Sequence, residues 1–506
     1  MTTHPKALIL GIDGGSLEVI EPLVEQGLLP NLGGLLGQSL RGTTTTTWPA
    51  HTAPGWSTFV TGRQPGGHGV YQFFGTQEPD YGARLTGTGD FGCSTIWEWF
   101  AQQGWSAGLV NVPMSHPPRE LPGYQVTWPL EQTLRFSSPP QLLGQMARAG
   151  APFTPDIMTM FRGDYGYVDR ALTNVAARGC SIKYLLEHHP VDVVMAVVTE
   201  VDRVCHHYWH FADACHPRHV RSGEPDWADA ITLIHRAVDA VIGEILDTVG
   251  DDVPVLLVSD HGLGQGRYNL GVNSLLEEAG LLTTRAGSGG HASWFDGAGH
   301  TVDFSRTRSY MPTPGSYGIN LNVAGRQRDG MVRPGEVPAL TAELTDLFVG
   351  LRAPDSDRPV FSAVLPREEA YPGPRCHAAP DLLLVPADEG VLADPGMTGG
   401  VWRPSEQTGL HRHAGLWAYR SPKVTPRRLT EPVALCDLAP TLFHDLGLRY
   451  PASISGRPIP DVLAHGPEPL PFLPDPTAPE PSPRDAARSL REDDLTTHAL
   501  KSMGYL

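Results

Sequence analysis

The sequence predicts an α/β protein built on a mainly parallel sheet with helices on both faces. Three apolar runs carry that expectation: Ala7–Ile12, the β-branched residues 191–201, and residues 253–258. Runs of this kind suit strands buried on both faces. Between them lie apolar patterns of helical period, and this alternation of strand and helix is the mark of a parallel sheet. An aspartate follows each run within two residues: Asp13, Asp202 and Asp260.

From the N-terminus, Ala7–Ile12 reads as a strand ended by Asp13 within Gly11-Ile-Asp-Gly-Gly15. An apolar pattern over 17–36 is interrupted at Pro30, which predicts two short helices. The five threonines 43–47 suit a strand because their side chains branch at Cβ. Pro54 opens a helix over 54–61 and puts Thr52 at or next to its N-cap. The clearest helix covers 226–249, with Ile231, Ile234, Val238, Val241, Ile242, Ile245 and Leu246 as its apolar stripe. Residues 71–161, rich in Gly, Pro and aromatics, and 270–374, a mixture of turns and short strands, read as insertions that cover a site. Residues 465–484 read as a Pro-rich acidic linker and 485–506 as a tail with a short helix, leaving 1–463 as one catalytic domain.

A chain of 506 residues with 40% hydrophobic side chains buries a large core. Its 55 acidic against 38 basic side chains, a formal charge of -17, argue against general affinity for nucleic acid or anionic membranes. No apolar run reaches the length of a membrane span, and the first residues lack the apolar stretch of a secretion signal. Cys93, Cys180, Cys205, Cys215, Cys376 and Cys436 are scattered without Cys-x-x-Cys spacing, which suits reduced thiols and a cytoplasmic location. An anionic substrate would need local positive charge, and bound metal ions are the obvious source.

Asp202 and His206 stand four apart, and Asp260 and His261 are adjacent. Parallel sheets gather chemistry at the carboxyl ends of their strands, so residues distant in sequence can converge there. Either pair alone is weak, since with 21 His an Asp-x-x-x-His arises by accident about once in a chain this size. A histidine capping a strand end is the bland alternative. The third strand-then-aspartate, at Asp13, favours a metal centre. Thr52 is either a simple cap or a nucleophile: a hydroxyl at a helix start faces free N–H groups that favour phosphate, and a divalent ion would lower its pKa.

In order along the chain stand Gly11-Ile-Asp-Gly-Gly15, Thr52-Ala-Pro-Gly-Trp56, Thr61-Gly-Arg-Gln-Pro-Gly-Gly-His-Gly69, Asp202 with His206 and Trp209, Ser259-Asp-His-Gly262 and Gly409-Leu-His-Arg-His-Ala-Gly415. This set resembles the alkaline phosphatase superfamily, and within it the type I phosphodiesterase/nucleotide pyrophosphatase group with its phosphohydrolase and phosphomutase relatives. The resemblance implies a three-layer α/β/α alkaline-phosphatase-like core with inserted cap segments. It implies hydrolysis of a small-molecule phosphoryl ester through a phospho-threonine on Thr52. It also implies two divalent metal ions, zinc foremost and manganese in related branches. Asp13, Thr52, Asp260 and His261 would hold one, and Asp202, His206 and His411 the other. Three carboxylates and an alkoxide would balance the two ions.

His413 is the main rival to His411. On an extended or turn segment only one of His206 and His207 can face the metal, and the family pattern selects His206. His68 is expected to order the loop beyond the nucleophile, and Glu200 to support Asp202. Gly55 and Trp56 stand where related nucleotide pyrophosphatases often carry an Asn that binds a phosphoryl oxygen. Thr52-Ala-Pro-Gly-Trp56 lacks the convertible Cys or Ser and the Arg of a sulfatase. Arg63 is the nearby candidate for the cation that a monoester dianion needs. A phosphomutase or phosphotransferase, a phosphomonoesterase, and a non-catalytic metal- or phosphate-binding relative are the alternatives. The sequence specifies no oligomeric state.

Overall fold

The computed structural model describes residues 4–130, 133–156, 159–160, 166–220, 225–287, 293–463 and 471–474. Apart from 471–474, the expected linker and tail helix lie outside the described residues.

A central sheet organises the chain. Its strands run, edge to edge, Arg427–Arg428, Leu40–Thr45, Ala414–Arg420, Val255–Val258, Ala7–Ile12, Val193–Val198, Ala107–Val110, Gly123–Val126 and Ser137–Ser138, with Val433–Ala434 also paired to Leu40–Thr45. Ala7–Ile12 is at the middle, parallel to both neighbours, with Gly11 opposite Val197 on one side and Val258 on the other. Ala414–Arg420 runs antiparallel to Val255–Val258 and to Leu40–Thr45.

Alternate residues of the middle strand feed two cores, as the two-residue period of a strand requires. Ile9 packs with Trp56, Phe59, Trp99 and Phe443 on one face. Leu8, Leu10 and Ile12 pack with Ile182, Ile234, Val238 and Ile245 on the other, beneath the helices Tyr167–His188 and Ala230–Val249. Helices therefore cover both faces of a mainly parallel sheet. The pattern over 17–36 forms the helices Leu17–Glu25 and Pro30–Gly37, with Pro30 as the first residue of the second, where its missing N–H costs nothing.

The stretch 71–161 is not wholly an insertion, because Ala107–Val110 and Gly123–Val126 are strands of the central sheet. Within 270–374, Ser309–Tyr310, Gly318–Leu321 and Phe361–Pro366 join Leu382–Pro386 in a separate four-stranded sheet, and the helix Val337–Val349 packs on it. Among the described residues no helix is long and apolar enough to cross a membrane.

Candidate metal centre

Asp13 directly follows the middle strand, and its backbone N–H still donates to the Val198 carbonyl at 3.0 Å. Asp260 stands two residues beyond Val255–Val258. Asp202 and His206 do not sit at a strand end, as the apolar run had suggested. The strand stops at Val198, and Glu200–Ala212 is a helix. The spacing of four then places Asp202 and His206 on one helical face. His207 is turned away, its ring meeting Tyr167 edge-on at 5.5 Å. His411 comes from the strand Gly409–Arg412, which pairs antiparallel with Gly262–Gln265 and sets His411 opposite Leu263.

Thr52 is the first residue of the helix Thr52–Thr61, and the N-cap is His51, whose Nδ1 accepts the Ala53 N–H at 3.3 Å. Pro54 has no N–H, and Gly55 donates to the His51 carbonyl at 2.9 Å. The first turn thus keeps only the Thr52 amide for an incoming anion, fewer donors than a helix start ordinarily offers. Gly55 and Trp56, which stand in place of a phosphate-binding Asn, serve the packing of this helix. A Cβ on Gly55 would come within 3.0 Å of the Asp260 Cβ and carbonyl oxygen. The Trp56 indole donates to Asp13 Oδ2 at 3.0 Å, and its ring lies against Gly11, where a Cβ would meet it at 2.5 Å.

The seven residues converge. Thr52 Oγ1 is 3.4 Å from Asp13 Oδ1 and 3.3 Å from His261 Nε2. His261 Nε2 is 3.2 Å from Asp260 Oδ2 and 3.6 Å from Asp13 Oδ1. Asp202 Oδ1 is 3.1 Å from His206 Nε2 and 3.3 Å from His411 Nε2, and these two nitrogens are 3.0 Å apart. Two groups, Asp13, Asp260 and His261, and Asp202, His261 and His411, each hold their ligand atoms within 4.8 Å of one another.

The donor set fits a cation. Each imidazole turns Nδ1 to a backbone carbonyl: His206 to Gly409 at 2.7 Å, His261 to Gly262 at 3.0 Å and His411 to Ala50 at 2.9 Å. Those contacts place the N–H on Nδ1 and leave Nε2 as a lone pair facing inward. Three such lone pairs meet three buried carboxylates, and Asp202 Oδ1 and Asp260 Oδ2 have no hydrogen-bond donor. Lone pairs and anions facing one another without water are costly unless positive charge joins them.

Burial pushes the Asp13 and Asp260 carboxyls well above the usual range, and repulsion among the three carboxylates adds to it. Burial lowers His51, His261 and His411, keeping them neutral.

Neither Arg203 nor Asp156 belongs to a sequence motif. The buried Arg203 guanidinium bonds Asp202 Oδ2 at 3.1 Å and Asp156 Oδ2 at 3.3 Å. Thr199 and the Trp128 indole hold Asp156 in turn, at 3.1 and 3.0 Å. The hint for Arg203 was its place between Val201 and Val204, a charge in an apolar run; Asp156 lies in a stretch with no motif. Glu200, expected behind Asp202, instead pairs with Arg178 at 2.6 Å. His413 stacks on Trp48 at 4.1 Å, and its amide donates to Glu389 at 2.5 Å. His68 bonds Thr58 Oγ1 at 3.0 Å and accepts the Val70 N–H at 3.1 Å, tying the loop to the Thr52 helix. Arg63 bonds the carbonyl and hydroxyl of Ser453. None of the six cysteines is in a disulfide.

Fold and site together define a hydrolase of the alkaline-phosphatase type. The sequence model of the type I phosphodiesterase / nucleotide pyrophosphatase family matches residues 7–413, and the chain belongs to that family. No curated protein matches it in sequence. Among solved structures it resembles murine ectonucleotide pyrophosphatase / phosphodiesterase 5 at 14% identity and a TM-score of 0.52, over 88% of this chain and 95% of that one. An inactive threonine-to-alanine form of the same murine protein, in complex with AMP, aligns at 13% identity and 0.55, over 92% and 100%. Phosphonoacetate hydrolase from Sinorhizobium meliloti 1021, in complex with phosphonoformate, aligns at 15% identity and 0.55, over 87% and 95%. At these identities the likeness is one of fold.

Proposed function

We propose that this chain is a two-metal phosphohydrolase that cleaves a phosphodiester or another phosphoryl ester of a small metabolite, with Thr52 as its nucleophile. The observation that carries the reading is the Thr52 hydroxyl, buried between Asp13 and His261 at the head of its helix. Asp13, Thr52, Asp260 and His261 would hold one divalent ion, and Asp202, His206 and His411 the other. The mixture of imidazole and carboxylate suits zinc first and manganese second, and such ions supply positive charge at the phosphoryl oxygens.

Trp56 and Gly55 fix Thr52 against Asp13 and Asp260. Thr52 Oγ gives up its proton to solvent and bonds to phosphorus as the ester P–O bond breaks, and the departing alkoxide takes a proton back from water. A water then attacks the phospho-threonine, restoring the hydroxyl and releasing the phosphoryl product. With so few first-turn amides, the anion's charge would be met by the cations that these carboxylates and imidazoles would hold. The direction of Arg63 toward Ser453 removes the nearby cation that a dianionic monoester would use, which favours a diester.

Replacing Thr52 with Ala should lower turnover of bis-p-nitrophenyl phosphate by on the order of a thousandfold or more, while the metal content changes little. Undiminished turnover in the variant overturns the assignment.

A further inference from the structure

The two oxygens of Asp202 have different partners. Oδ1 faces His206 Nε2 at 3.1 Å and His411 Nε2 at 3.3 Å, whereas Oδ2 meets the Arg203 guanidinium at 3.1 Å. Asp202 can therefore offer only its Oδ1 to an ion that those imidazoles would hold. The guanidinium also brings a full positive charge next to that ion's position. A cation on the far oxygen weakens the pull of the near one on a divalent ion.

The surroundings of Arg203 offset this charge. Its Nε bonds Asp156 Oδ2 at 3.3 Å, and both side chains are fully buried. Thr199 Oγ1 donates to Asp156 Oδ2 at 3.1 Å and the Trp128 indole to Oδ1 at 3.0 Å, while Arg203 lies over the Trp128 ring at 5.8 Å. Asn111 Nδ2 donates to Thr199 Oγ1 at 3.4 Å and to the Val197 carbonyl at 3.0 Å, so this series of contacts ends on the central sheet. A cavity of about 820 Å³ opens over the centre, walled by His206, His411 and the small sheet in which Tyr268–Gly271 pairs with Val391–Asp394 and Trp402–Pro404. Arg203 and Asp156 are not among the described residues that line it, so their effect on the centre passes through Asp202.

We infer that Asp156 is a positioning residue for the half of the centre built from Asp202, His206 and His411: by neutralising Arg203 it leaves the charge of Asp202 for a divalent ion. This rests on the two-metal reading. Arg203 and Asp156 together add no net charge to the centre, so the balance of three carboxylates and an alkoxide against two ions is kept. Losing Asp156 alone sets an uncompensated cation beside one ion, and losing both charges restores the balance.

Zinc affinity tests the inference on the zinc-loaded full chain, challenged with rising concentrations of a chromophoric chelator. Asp156→Asn keeps the shape and an acceptor for the Trp128 indole, and one of the two zinc ions should bind about tenfold less tightly. The double variant Asp156→Asn/Arg203→Gln should return to within about threefold of wild type, and Arg203→Gln alone should hold that zinc at least as tightly as wild type. A pair that served only to brace the helix would give the opposite order, with the double variant the weakest binder. Unchanged zinc affinity in Asp156→Asn, or a double variant weaker than Asp156→Asn, overturns the inference and leaves the two-metal reading standing. Should Asp156→Asn fail to fold, Arg203→Gln decides alone, and weaker zinc binding than wild type overturns the inference. If the wild-type chain retains neither zinc nor manganese, the two-metal reading and the inference fail together.

Discussion

His261 and His411 face each other ring to ring, with centroids 3.8 Å apart and planes tilted by 31°. This contact joins the two halves of the centre, because His261 Nε2 lies within reach of Asp13 and Asp260 on one side and of Asp202 and His411 on the other. If both halves hold a divalent ion, the two histidines are not equivalent. His411→Ala should reduce the metal content from about two ions per chain to about one, whereas His261→Ala should reduce it further, toward none. Elemental analysis after gel filtration reads the difference, and equal losses would contradict it.

The Arg203 guanidinium sits directly on Asp202, fully buried between Asp202 and Asp156. Arg203→Met leaves two buried carboxylates facing each other without a counter-charge, which should cost about 3–5 kcal/mol of stability. Urea denaturation measures it. A loss below about 1 kcal/mol would mean that the pair is already solvated or neutral.

Gly55→Ala should impair activity through geometry rather than chemistry. The added methyl meets the Asp260 Cβ and carbonyl oxygen at 3.0 Å, tighter than ordinary contact, so the Thr52 helix must lift. Overpacking of this kind costs about 1–3 kcal/mol, and the displacement should lower kcat at least about tenfold. Steady-state kinetics with wild-type kcat would show that the helix has room.

His68 sets a pH dependence away from the centre. Burial lowers its pKa from 6.5 to about 3, so the folded chain keeps the ring neutral where the unfolded chain protonates it. Its contribution is fully present above pH 6.5 and declines as pH falls toward 3. The unfolded state binds the extra proton in that window, so stability falls by up to about 1.4 kcal/mol per pH unit. His68→Gln should flatten the difference between urea midpoints at pH 7 and pH 5.5. An unchanged pH dependence would place the titrating group elsewhere.

Local pattern made the strand-borne ligands legible. Asp13 and Asp260 follow runs whose apolar continuity has one physical reading, burial on both faces of a parallel sheet. Asp202 and His206 were found through their spacing while their setting was misread: the run continues through Val201 although the strand ends at Val198 and a helix has begun. The spacing of four is a helical one and held the correct answer. Asp156 could not be read at all, since nothing in its own segment records that Arg203, 47 positions on, needs a second carboxylate. The strands Ala107–Val110 and Gly123–Val126 were hidden for a similar reason. They are four residues long and set among Gly and Pro, and only pairing with distant strands makes them part of the sheet.

Trp56 ties two pieces of the machinery into one. Its indole N–H holds Asp13 and its ring rests on Gly11, so the helix bearing Thr52 is pinned to the middle strand of the sheet. The wall carrying Asn269, Asp394 and Arg403 belongs to a different, smaller sheet. The reactive hydroxyl and the cavity wall thus rest on different sheets, yet one apolar core holds Trp56 together with Leu270, Val391 and Ala393 of the wall. A void opened by shortening one of those wall side chains would therefore loosen the Thr52 helix as well.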